Sequence, residues 1–256
     1  MCAFSFEGET DVVVLIKAAP EIGRTHGETV CVAGIDRLGA WHRLYPVPYK
    51  DLLPNQRFSR WDIIRVRWRR PSTDDRVESK RIDPQTLRIV GSVPSREWPS
   101  FIERAEALSL EEEDRCGRSL ALIRPESPRF LIRRLTLKEL EKSQRRRDSL
   151  HAQADMFSNP EIPKEAPPYR FSFQFRHAGK TREHQCIDWE TEQTFFKWRN
   201  KYGEAQALEF MKETWGHFDD HGLVFAMGTH RVKHWKTWLL SSLIRAPRTA
   251  QAQLIL

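Results

Sequence analysis

Residues 61–70 read WDIIRVRWRR. At the two-residue period of a β-strand, Ile64, Val66 and Trp68 fall on one face and Arg65, Arg67 and Arg69 on the other. Three guanidinium groups in line repel one another unless an anion answers them. A guanidinium grips a phosphate with two parallel N–H bonds and stacks on rings, which an ammonium group does not. The row is therefore suited to a phosphodiester backbone. Cations and rings also meet elsewhere. Trp41, Arg43 and Tyr45 share one expected strand, Arg76 and Lys80 follow the next turn, and KHWK carries Lys233, Trp235 and Lys236. Surfaces that hold single strands or unpaired bases use this mixture. The row also has an internal explanation: Glu78, across an expected hairpin, would face Arg65 or Arg67 as a cross-strand ion pair.

Two acidic sets have the composition of catalytic groups. Asp62 followed by Glu78-Ser79-Lys80 is the residue set of a metal-dependent nuclease. Its carboxylates would hold a divalent cation and its lysine would orient the attacking water. In REHQCIDWE, an extended backbone puts His184, Cys186, Asp188 and Glu190 on one face. A histidine with two carboxylates binds metal or carries a proton. The competing explanation is that Asp188 N-caps the next helix and Glu190 sits in its first turn, where the helix dipole favours it. The residue pattern favours capping. The sequence contains no Gly-rich phosphate loop, HExxH or GxSxG. No cofactor is expected, apart from a divalent metal if the nuclease reading holds.

The elements that must position these residues begin with strands. DVVVLIKAA (11–19) is an apolar run that fits a buried strand. GETVCVAGID (27–36) and WHRLYPVPY (41–49) form a hairpin around the turn residues Asp36 to Gly39. WDIIRVRW (61–68) and RVESKRI (76–82) form a second hairpin around PSTDD, and LRIVGSV (87–93) adds a strand. Residues 95–115 read as an acidic helix, with Ser100 as N-cap and Glu103 at the capping-box position. Residues 118–135 return to strand character, broken by Pro125 and Pro128, and 136–157 are helical. The stretch 159–168 is a proline-rich polar linker. Residues 169–256 read β-β-α-α-β-β.

The expected fold is α+β: a β-rich N-terminal module over 1–94, a small barrel or twisted sheet, with an extension over 95–158 packed on it. A smaller α+β lobe follows over 169–256. The chain has 256 residues and a formal net charge of +7, which favours a polyanionic partner, DNA or RNA, with an acidic protein as the alternative. Its four cysteines are scattered, so neither a disulfide framework nor a zinc site is expected. No apolar run approaches the roughly 20 residues of a membrane helix. The run Val12–Ile16 is too short for a secretory signal core and follows Glu7, Glu9 and Asp11 instead of basic residues. A cytoplasmic protein without membrane contact is expected. ETVCVAGIDRLGAWHRLYPVPY, RVES, DWE and FAMG together resemble hypothetical proteins of prokaryotes. That resemblance implies a microbial origin and brings no fold, activity or site residue.

Overall fold

The computed structural model describes residues 7–17, 21–23, 27–48, 52–72, 74–153, 165–217, 222–229 and 237–246. Seven strands come first: β1 (Gly8–Lys17), β2 (Glu21–Gly23), β3 (Gly27–Ile35), β4 (Trp41–Val47), β5 (Asp62–Arg69), β6 (Ser79–Ile82) and β7 (Arg88–Ser92). Five of them close a barrel in the order β1-β3-β4-β6-β5, with β5 returning to β1. Every neighbouring pair is antiparallel except β4–β6, which is parallel. β2 pairs with β3, and β7 pairs with β5.

Alternate residues of each strand fill the barrel, among them Val12, Val14, Leu44, Ile64 and Val66, with Phe58 between them. Each is fully buried, and burying such a side chain is worth about 1.5–3 kcal/mol. β1 is apolar on both faces because its outer side is covered too. Val13 and Leu15 point away from the barrel interior and join a second core with Ala33 and Ile35. The two strands approach closely here: a Cβ at Gly34 would lie 2.0 Å from the Val13 carbonyl oxygen, so only glycine fits.

The rest of the chain supplies the cover. It contains α1 (Trp98–Ala105), α2 (Leu110–Arg115), β8 (Leu120–Ile123), β9 (Glu126–Arg134), α3 (Leu137–Gln153), β10 (Tyr169–His177) and β11 (Lys180–Gln185). α4 (Trp189–Tyr202), α5 (Glu204–Gly216), β12 (Leu223–Thr229) and β13 (Trp238–Arg245) complete it. β8, β12 and β13 form a middle sheet buried on both faces. Leu122, Val224, Ala226 and Ile244 meet the barrel wall. Ala121, Ile123, Phe225 and Met227 meet Phe171 and Phe173 of the outer sheet β9-β10-β11 and the helices α4 and α5. A bridge between Cys186 and Leu240 links the two sheets. The architecture is α+β with a β-rich N-terminal barrel, as expected.

The acidic stretch differs in detail. It forms two helices, not one. Ser100 lies inside α1, with its hydroxyl donating to the Glu97 carbonyl, and the working cap is Ser109, whose Oγ accepts from the Glu112 N–H. The acids are answered within the molecule: Glu111 accepts from Lys180 and Arg182, Glu113 from Arg118, and Glu106 from Arg124. Of the expected linker, 159–164 lie outside the described residues; at its end Ala166 is buried and the Pro168 carbonyl accepts from the Leu135 N–H. Among the described residues no helix is long and apolar enough to cross a membrane.

Candidate nucleic-acid interface

Because Ile64 and Val66 fill the barrel, Arg65, Arg67 and Arg69 project from its outer wall. β1 lies beside them in a register that sets Asp11 opposite Arg65 and Glu9 opposite Arg67. Arg65 donates to Asp11 through Nε at 2.5 Å and Nη2 at 2.7 Å, and this hydrogen bonding holds the Asp11 carboxyl below its usual range. Glu9 lies 3.7 Å from Arg67 and 3.2 Å from Arg88 on β7. Arg65 and Arg67 are therefore answered by β1 and not by Glu78. The β5–β6 ladder pairs Arg69 with Arg81, which leaves Glu78 beyond the end of β5. There Glu78 is buried, accepting from the Ser119 N–H at 2.7 Å and hydroxyl at 3.1 Å.

A second row runs across the strands. Arg69 pairs with Arg81, and Arg81 with Tyr45 on β4. Their neighbours Ile82 and Leu44 are buried in the barrel, so Arg81 and Tyr45 face outward with Arg69. Neighbouring strands lie about 4.8 Å apart, so the backbone positions of two arginines and a tyrosine follow one another at that interval. Tyr45 is 38% exposed.

The other expected contact residues are engaged elsewhere. Lys80 points into the barrel end, its Nζ 3.3 Å from the centre of the Trp68 ring, and burial lowers its pKa. Trp41 packs against the core between barrel and middle sheet. Arg43 is buried, with Nη2 donating to the Ser119 carbonyl and hydroxyl at 3.1 Å each. Arg76 forms a fork on Asp74 and donates to the Thr229 carbonyl at 3.0 Å. Lys233, Trp235 and Lys236 lie outside the described residues.

The first acidic set is dispersed. Asp62 begins β5, where its carboxylate accepts from the Ser59 N–H at 2.7 Å. Lys80 lies on β6 beside the far end of β5, where Trp68 pairs with Ile82. Six residues of strand, about 20 Å, separate those ends. Glu78 faces Ser119, so Asp62, Glu78 and Lys80 do not meet. Among the described residues no three His, Cys, Asp or Glu side chains are grouped to hold a metal ion.

The second set runs alongside β13. The Nδ1 of His184 lies 2.8 Å from the Trp238 carbonyl, and burial lowers the histidine pKa. Cys186 is buried, which pushes its thiol up to about 12. Asp188 occupies the N-cap position of α4 but makes no cap hydrogen bond to the backbone. Its carboxylate instead accepts from the Thr191 and Ser242 hydroxyls, each at 3.3 Å, and lies 3.8 Å from Arg60. Burial pushes it up to about 6. Glu190, in the first helical turn, pairs with Arg60 at 3.2 Å. Four residues of extended chain, about 13 Å, separate His184 from Asp188. The sequence does not point to Arg60 as the partner of Asp188 and Glu190; Arg60 also donates to the Leu243 carbonyl at 2.7 Å and so ties the barrel to β13. Nor does the sequence point to Arg88, although Arg88 is the one cation in LRIVGSV.

Residues 8–108 match a family model described as a domain of unknown function, DUF8758. Residues 103–256 match a second, described as a domain of unknown function, DUF8757. No curated protein matches the chain.

Proposed function

The chain belongs to the family described as domain of unknown function DUF8757, and we propose that it is a nucleic-acid-binding protein. The barrel wall holds a sugar-phosphate backbone on Arg69, Arg81 and Arg67, and Tyr45 stacks on an unpaired base. The observation that carries this reading is the cross-strand row Arg69–Arg81–Tyr45. Guanidinium forks that grip phosphates beside an exposed ring that stacks on a base are the two kinds of contact by which single strands are held.

The barrel's connectivity supports the same reading. With β2 counted as part of a connection, the first strand pairs with the second and fourth, and the third runs parallel to the fifth. Oligonucleotide- and oligosaccharide-binding barrels are five-stranded, partly open Greek keys of this connectivity and bind ligands on the face of their second and third strands. The likeness is one of architecture. In this chain part of the wall is docked on the middle sheet through Ile35 and Arg43. The ligand wall is then β5, β6 and the Tyr45 end of β4. The reading is one of binding and assigns no catalytic step to either acidic set, whose members are not brought together among the described residues. It places the protein in the cytoplasm, where an exposed thiol such as Cys116 stays reduced.

The test is fluorescence anisotropy with labelled single-stranded and duplex oligonucleotides, DNA and RNA, across a salt series. The Arg69→Ala/Arg81→Ala variant should lose affinity, and its salt slope should fall by about 1.4–1.8 for two lost phosphate contacts. Tyr45→Ala should weaken single-strand binding roughly tenfold and leave the slope unchanged. If the wild type binds none of these at low salt, the reading is wrong.

A further inference from the structure

We infer that Arg67 and Arg88 form a phosphate subsite in which the Glu9 carboxylate now stands. The ligand class, a phosphodiester of a nucleic-acid strand, rests on the reading above. Two guanidiniums from different strands converge on this one carboxylate. Glu9 Oε1 lies 3.7 Å from Arg67 Nε and 3.2 Å from Arg88 Nη2, and Oε2 lies 3.3 Å from Arg88 Nη2. A fully engaged charge-assisted pair closes to about 2.7–2.9 Å. The neighbouring Asp11–Arg65 pair is that tight, at 2.5 and 2.7 Å. The Glu9 contacts are all longer, so neither fork is closed on it. The Arg67 and Arg88 side chains are 55% and 52% exposed, and that of Glu9 is 36% exposed. Solvent and a ligand can therefore reach the group.

A phosphodiester carries the same single negative charge as a carboxylate and presents two free oxygens to the same donors. It can replace Glu9 without changing the charge between the two arginines. Glu9 must then swing outward, which an exposed side chain on a strand edge can do. Asp11 does not take part, because its bidentate bond fixes Arg65 to β1. Glu9 thus acts as a built-in competitor: strand binding at this point exchanges one anion for another.

The test compares wild type, Glu9→Gln and Glu213→Gln for binding a labelled single-stranded oligonucleotide over a salt series. Glu213 is exposed on α5, so its variant makes the same change in net charge away from the barrel. Glu9→Gln should bind about three- to tenfold tighter, with a salt slope steeper by roughly 0.7–0.9, one more counterion-releasing contact. Glu213→Gln should stay within about twofold of wild type. Arg88→Ala added to Glu9→Gln should cancel the gain. If wild type binds and the two glutamine variants behave alike, the subsite is refuted and the binding reading stands. If neither wild type nor Glu9→Gln binds at low salt, both are refuted.

Discussion

Burial works against the charge of Asp188. Its carboxyl has three partners, the Thr191 and Ser242 hydroxyls and Arg60, yet its pKa stands at about 6 against an ordinary 3.8. Arg60 lowers it and Glu190 raises it, and desolvation outweighs both. Below pH 3.8 the folded and unfolded chains are both protonated at this residue. Between 3.8 and about 6 the folded chain holds the proton and the unfolded chain does not, so stability falls as pH rises through that window. Above about 6 the cost of the buried charge is complete. Asp188→Asn removes this titration and can keep both hydroxyl contacts. The stability of wild type minus that of Asp188→Asn, from urea unfolding, should therefore decrease between pH 4 and 6.5. A difference that stays flat or rises would sink the assignment. The sequence showed that Asp188 precedes a helix, and it does stand at the N-cap. It did not show the hydroxyls or Arg60, because Ser242 and Arg60 are brought in from 54 and 128 residues away by packing of β13 and the barrel.

Elements were legible where their signals are local. The alternation in β5 gave the correct faces of Ile64, Val66, Arg65 and Arg67. Its partner strand was not legible, although Glu9 and Asp11 carry the same two-residue period, because the β1–β5 pairing joins segments 54 residues apart. The acidic helix shows how one local motif can appear twice. Ser100-x-x-Glu103 and Ser109-x-x-Glu112 have the same pattern, and only the second starts a helix. Pro99 explains the difference. Proline is favoured in a first helical turn, where no N–H is needed, and it sits at the start of α1. That start puts Ser100 inside the helix, where its hydroxyl bonds the Glu97 carbonyl. Ser109→Ala should accordingly lower stability by about 1 kcal/mol, the usual worth of a serine cap. Ser100→Ala should stay within about 0.5 kcal/mol of wild type, as expected inside a helix. Urea unfolding midpoints of the two variants decide the matter, and equal losses would refute the capping role.

At the scale of the molecule, the barrel is only half of its own core. The unbroken run Val12–Ile16 signals burial on both faces of one strand, but nothing local says what covers the second face. The cover is the middle sheet, with Leu122, Val224, Ala226 and Ile244 against Val13, Leu15, Ala33 and Ile35. Phe101 and Ile102 of α1 sit in the same cluster. The two family matches meet at residues 103–108, just after these side chains, so their boundary cuts the chain beside a shared core. Arg60 reinforces the junction through its bonds to Leu243, Ser242 and Glu190. A fragment ending at residue 108 keeps every barrel strand and loses this cover. Its wall would show water a contiguous apolar patch of the kind that drives association. The fragment should therefore bind a hydrophobic dye such as anilinonaphthalene sulfonate and unfold without a sharp transition, while the full chain unfolds cooperatively in urea. A fragment that stays monomeric, excludes the dye and unfolds in one sharp step would show that the barrel stands alone. The outer wall that carries Arg69, Arg81 and Tyr45 would then be a property of the first 108 residues, and the docked face at Arg43 would be dispensable for folding.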